Sequence, residues 1–305
     1  MTTTDDAPLV SLADIAEIEL FVLKRLRELT LGDHLSVFSG PGFDFVGLRD
    51  WEPGDRVTSI DWAQSSLSNF SPMVTRQYDQ NSTATIVAVA DGSLSTRCGP
   101  LGAPIASTVA RAVAAIGLSA VFCQDLFGMI TFDEGFRQLA SARPGVGKSH
   151  VMYCLDLYAR RQRIERPRAQ VDVSATIGSH LRKTSIVPVI SDFLFADAPR
   201  VVGELAMLNA RHDVFLVVVD ARAAFDLPTV GAGWVDTVDV ETGRTQVVSR
   251  REFGRLGDRI EEWQQQILEI ARDQDLDVLR IGPDRSAMET ALVEFMAERR
   301  LRHVA

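Results

Sequence analysis

Apolar positions along the chain follow two different periods. Over residues 11–30, Leu12, Ile15, Val22, Leu26 and Leu29 recur at helical steps and predict one amphipathic helix. From residue 84 the pattern changes to short β-branched runs: TIVAVAD (85–91), LFGMITF (126–132), SIVPVISD (185–192), DVFLVVVD (213–220) and LDVLRIG (276–282). Helical stretches separate most of them, near 104–122, 149–161, 199–210 and 251–273. The last carries Phe253, Leu256, Ile260, Trp263, Ile267 and Ile270 as a stripe. Continuous apolar strands alternating with helices predict an α/β, Rossmann-like fold, with a mostly parallel central sheet and helices on both faces. Pro188 argues mildly against its run, because proline has no ladder donor.

Between the first helix and the first run lies a turn-rich, aromatic stretch. Within it, Glu52-Pro53-Gly54-Asp55 has the chemistry of a tight turn. The expected organisation is an N-terminal helix and turn segment, residues 1–81, packed on a main domain, residues 82–305.

Composition narrows the function classes. A formal net charge of −9 disfavours a general nucleic-acid surface. The Arg-rich stretch YARRQRIERPR (158–168) reads as a solvated helical face. Cys98, Cys123 and Cys154 have no CxxC spacing and fit reduced thiols. The start, MTTTDDAPLV, is acidic and unlike a signal peptide. The most apolar segment, PIASTVARAVAAIGLSAVFC, contains Arg111 and reads as a buried helix rather than a membrane span. These features together predict a cytoplasmic chain.

Candidate chemistry sits at the strand ends, since ligands of parallel sheets collect beyond the carboxyl ends of the strands. Three runs end in Asp91, Asp192 and Asp220. The first continues as Asp91-Gly92-Ser93-Leu94-Ser95. A carboxylate followed by hydroxyls at two-residue intervals can turn three oxygens to one point, a donor set suited to Mg²⁺, with Mn²⁺ or Ca²⁺ as substitutes. Asp192 would add a second carboxylate through a water. The plainer reading is helix capping, for which Asp and Ser are equally suited.

A rival motif lies at Ala142-x-x-x-x-Gly147-Lys148-Ser149, which passes a relaxed phosphate-loop pattern. The residues before it, DEGFRQLASARP, are polar and resemble an edge hairpin leaving MITF. A buried parallel strand is what a phosphate loop requires. Nucleotide binding through Gly147-Lys148-Ser149 is therefore the lesser alternative, and the loop is expected as a rim beside the cation site. Serine-nucleophile chemistry lacks both a Gly-x-Ser-x-Gly elbow and a placed His.

Asp91-x-Ser93-x-Ser95 followed by a distant strand-end Asp resembles the metal-ion-dependent adhesion site of von Willebrand factor type A domains. More specifically, GLRDWEPGDRVTSIDW, then MVTRQYDQ, then the DxSxS run resemble the bacterial family called domain of unknown function 58. In that family an Arg, a Pro-Gly-Asp turn and an Ile-Asp-Trp box precede a von Willebrand factor A-like fold. The resemblance covers about residues 30–300, FGMITFDE and VISDF included. It implies a non-enzymatic binding module partnered with a MoxR-type AAA+ ATPase. It also implies a cation held by Asp91, Ser93, Ser95 and Asp192, open to a partner's Asp or Glu carboxylate. The wider fold expects a further Thr ligand; its hydroxyl candidate here is Ser149. Arg49, Asp55, Asp61 and Trp62 are candidates for a partner surface that needs no metal, or for a lock pinning the N-terminal segment.

Overall fold

The computed structural model describes residues 9–31, 44–52, 60–67, 72–79, 83–93, 95–98, 104–132, 139–160, 172–222, 233–238 and 245–304. Its centre is a six-stranded sheet. In spatial order the strands are β10 (Asp277–Ile281), β7 (Asp213–Val219), β6 (Ile186–Ser191), β3 (Thr85–Asp91), β4 (Leu126–Phe132) and β5 (Leu139–Gly145). All neighbours are parallel except β4 and β5, which are antiparallel. The chain runs outward from β3 through β4 to β5, then returns to the other flank of β3 with β6, β7 and β10. Strand order therefore reverses between β3 and β6, the place where a crevice opens beyond the carboxyl ends in such sheets.

Alternation along the strands builds two apolar layers. Ile86, Ala88 and Ala90 of β3 face one cluster with α1 (Leu12–Leu31), α3 (Ile105–Phe122), α4 (Lys148–Ala159) and α8 (Arg285–Val304). Val87 and Val89 face the other, with α5 (Val173–His180), α6 (Ala198–Asn209) and α7 (Arg250–Asp273). Both faces of β3 are thus dry, as its unbroken apolar run implies. Pro188 is accommodated within β6. Its pairing with β3 is registered at Ile86↔Ile186 and resumes at Val89↔Val189, skipping the position that has no N–H to give.

The first helix buries Ile15, Ile18, Val22 and Leu26, whereas Leu12, expected on that face, is 76% exposed. α3 is long and apolar enough to cross a membrane by length and composition, but 78% of it is buried inside the fold. Its one charge explains itself: Arg111 donates to Asp14 of α1 at 2.7 Å and to the buried Glu289 of α8 at 2.5 Å. A buried ion needs such partners, and here they tie three helices together.

Two further antiparallel pairs form sheets of their own. β1 (Asp44–Asp50) pairs with β2 (Val74–Asp79), and short α2 (Trp62–Leu67) lies beside them. β8 (Trp234–Val238) pairs with β9 (Thr245–Ser249), which runs directly into α7. That junction is a capping box: Ser249 accepts from the Glu252 N–H while the Glu252 carboxylate accepts from the Ser249 N–H.

Candidate functional site

Asp91 ends β3 and is fully buried. Its Oδ1 accepts the N–H of Ser93 at 2.8 Å, bending the chain out of the strand. The Thr96 hydroxyl then donates to the Ser93 carbonyl at 2.7 Å and closes the single 3₁₀ turn Ser95–Arg97. These two local bonds bring Ser93 Oγ and Ser95 Oγ to 2.9 Å from each other. Asp91 Oδ2 reaches across the strand-order reversal and accepts the Ser191 hydroxyl of β6 at 2.5 Å. The same Ser191 oxygen accepts the Phe193 N–H at 2.8 Å. Asp192, 1% exposed, follows at once, and its Oδ1 accepts the Leu194 N–H at 3.0 Å. The structure therefore places Asp91, Ser93 and Ser95 at or beyond the end of β3, bonded to Ser191 of β6, with Asp192 the next residue beyond that adjacent strand.

Two helices, one from each layer, hold these turns. From α4, the buried Tyr158 hydroxyl donates to the Asp91 carbonyl at 2.7 Å. Burial first, and the nearby Asp91 charge second, push that phenol above its ordinary pKa, so it stays a donor. From α7, the fully buried Gln264 uses both amide hydrogens, on the carbonyls of Asp192 at 2.8 Å and Val219 at 2.9 Å. The Trp263 indole donates to the Phe193 carbonyl at 2.8 Å. Phe193 sits at φ 54°, a region few side chains adopt, and these bonds hold it there. Sequence analysis missed both: Tyr158 heads the Arg-rich stretch expected as a solvated face yet is buried, and Gln264 reads as an ordinary helical position. Ser191 was visible beside Asp192, but its bond to Asp91 was not.

Chemically the site offers two carboxylates and two hydroxyls. In an octahedron of oxygens at about 2.0–2.1 Å from Mg²⁺, neighbouring oxygens stand about 2.9 Å apart. The Ser93–Ser95 separation matches that edge without movement. The donor set is sparse: among the described residues there is no group of three or more His, Cys, Asp or Glu able to hold a metal.

Ser149 does not join them. β5 runs antiparallel to β4, placing Gly145 beside Phe127 at the amino end of the sheet, while Asp91 lies beside Phe132 at the other end. Ser149, in the first turn of α4, is exposed. Tyr158, nine residues on, is the α4 residue that touches the site. At 1.5 Å rise per residue this sets Ser149 about 13 Å back along the helix. The Gly-rich loop is therefore no rim of the site. Nor has it the geometry of a phosphate loop, since an antiparallel edge strand delivers it and Lys148 is ion-paired with Glu19 of α1. Gly147 serves the turn itself, at φ 86° as N-cap of α4.

The third strand-end acid, Asp220, accepts the Arg222 N–H at 2.9 Å and pairs with Arg280. Asp61 is buried and caps α2, accepting the Gln64 N–H at 3.2 Å, while Trp62 is 55% exposed. The Arg49 side chain and all of Asp55 lie outside the described residues.

Fold and site define a Rossmann-like α/β domain with a polar cluster at its strand-order reversal. Residues 47–264 match the family model described as "Protein of unknown function DUF58", and the chain belongs to that family. An uncharacterised protein of Mycobacterium bovis is 26% identical over 238 residues, 76% of this chain and 71% of the relative; one of Mycobacterium tuberculosis matches to the same extent. Among solved structures, an aerotolerance-related membrane protein of Bacteroides fragilis aligns with a TM-score of 0.42 at 12% identity, covering 70% of this chain and 99% of that one. The pilus adhesin SpaC of Lactobacillus rhamnosus GG aligns at 0.38 and 10% identity, covering 90% of this chain and 36% of the adhesin. Neither likeness, at such TM-scores, bears on function.

Proposed function

We propose that this chain is a protein-interaction module that holds one divalent cation, Mg²⁺ or Mn²⁺, between Ser93, Ser95, Asp91 and Asp192. The observation behind this reading is the convergence of the β3 and β6 ends. Asp91 is bonded to Ser191 of the neighbouring strand, and two hydroxyls stand 2.9 Å apart beside it. Ser93 and Ser95 would contribute hydroxyl oxygens. The buried carboxylates of Asp91 and Asp192 would supply negative charge and orient water. Tyr158 and Gln264 hold the two turns still. A cation bound through so few charged groups acts as a Lewis acid toward an incoming carboxylate, so the partner would present an Asp or Glu. The resemblance to the von Willebrand factor A adhesion motif supports the same reading, and family membership suggests a MoxR-type AAA+ ATPase as that partner.

Calorimetric titration with Mg²⁺ and Mn²⁺ should give binding heats for the wild type and none for Ser93→Ala/Ser95→Ala, which leaves both carboxylates in place. Equal heats for the two proteins, or none for the wild type, would overturn the reading. Pull-down of the ATPase with and without chelator then separates it from a metal-free alternative. That second reading is favoured by one observation: Trp62 stands 55% exposed beside the buried cap Asp61, as a contact residue would.

A further inference from the structure

Away from the site, the β8–β9 hairpin leaves large apolar side chains in water. Trp234 is 74% exposed and Val247 59%. Trp234 pairs with Ser249, the N-cap of α7, so the indole stands at the start of that helix. Leu256, two turns on, is 37% exposed. The first turns of α7 are also basic, with Arg251 and Arg255 exposed at four-residue spacing. Neither forms an ion pair with a carboxylate among the described residues. Glu252, the acid of that first turn, makes its hydrogen bonds in the capping box, though its charge also feels Arg255.

This charge placement runs against helix electrostatics. The N-terminus of a helix carries partial positive charge, so arginines there repel it and an anion nearby is favoured. In a chain of net charge −9, a basic helix start beside an exposed tryptophan stands out from the rest of the composition. Trp and Arg are also the side chains most often found to dominate protein interfaces, because they combine apolar area with directed hydrogen bonds.

We propose that the β8–β9 hairpin and the start of α7 form a docking surface for an acidic, partly apolar segment of a partner protein. Arg251 and Arg255 take its carboxylates, and Trp234 and Val247 take its apolar side chains. This surface needs no cation and is separate from the strand-end cluster, so it stands or falls independently of the function proposed above.

The test uses the full chain and a fluorescein-labelled synthetic peptide of alternating Glu and Leu, with a Lys-for-Glu counterpart as control. Fluorescence polarisation should show binding of the Glu peptide, weakened by salt, unchanged by EDTA and absent for the Lys peptide. Arg251→Glu/Arg255→Glu should weaken it roughly tenfold or more, and Trp234→Ala comparably. Arg251→Lys/Arg255→Lys should retain most of it, with circular dichroism confirming that every variant is folded. No binding of the Glu peptide, or binding indifferent to these substitutions, would overturn the proposal. So would binding confined to phosphatidylglycerol-containing vesicles, or light scattering that shows a dimer of this chain broken by Trp234→Ala.

Discussion

Two segments of this chain look like ligand loops, and they lie at opposite ends of one sheet. Asp91-x-Ser93-x-Ser95 leaves a central parallel strand at its carboxyl end. There it meets Ser191 from the strand beside it, and helices from both layers hold the two turns, Tyr158 on the Asp91 carbonyl and Gln264 on that of Asp192. Gly147-Lys148-Ser149 leaves an antiparallel edge strand at the amino end and meets one half-buried acid, Glu19. Both have glycine, hydroxyls and a helix nearby. The difference is strand direction, which decides whether a loop emerges where neighbouring strands also deliver polar groups.

The sharpest way to break this comparison is to remove the acceptor at its centre. Asp91→Ala strands the Ser93 N–H and the Ser191 hydroxyl in a buried place, and should cost about 2–4 kcal/mol in urea unfolding. A change below about 1 kcal/mol would mean the cluster is not organised around Asp91. Next comes Gln264→Leu, which leaves the Asp192 and Val219 carbonyls without their amide donor. About 2 kcal/mol is expected, together with a weakened Mn²⁺ affinity if Asp192 serves the cation. Tyr158→Phe deletes one bond with little change of shape, and a loss of about 1 kcal/mol is expected. At the opposite end, Lys148→Ala should alter stability by less than about 0.5 kcal/mol and leave Mg²⁺ and Mn²⁺ heats untouched.

A thiol between the two ends provides the finest check. Cys154 lies on α4 and is buried, and desolvation pushes its pKa up to about 12. The folded state therefore favours the neutral thiol. Its contribution to stability is complete below the ordinary thiol pKa of 9 and is lost as pH rises from there through about 12. In native protein at pH 8, Ellman's reagent should react with the half-exposed Cys98 and Cys123, and with Cys154 only after denaturant is added.

Much of this arrangement could be read from the residues. Strands β3, β4, β6 and β7 each carry a near-continuous apolar run, so the sheet and its dry faces were visible; β10, an edge strand with Asp277 and Arg280, is only partly apolar. Asp91, Ser93 and Ser95 were visible because they fall within five residues of one strand end, where Asp91 Oδ1, the Ser93 N–H and the two hydroxyls bond locally. Ser149 was misplaced although an edge hairpin leaving MITF was expected, because the antiparallel return carries the loop to the amino end of the sheet, away from Asp91. The roles of Tyr158 and Gln264 were hidden for another reason. Each contributes through bonds to main-chain carbonyls far away in sequence, and no side-chain pattern marks a carbonyl. Leu12 fitted the helical period of α1 yet projects into water, because the buried stripe runs through Ile15, Ile18, Val22 and Leu26.

The bond between Asp91 and Ser191 spans 100 residues of chain. During synthesis the serine-bearing turn leaves the ribosome long before its counterpart exists, so the cluster cannot assemble until β6 has emerged as well. It closes only once β6 has inserted beside β3, a late event whose timing is set by loop closure rather than by local propensity.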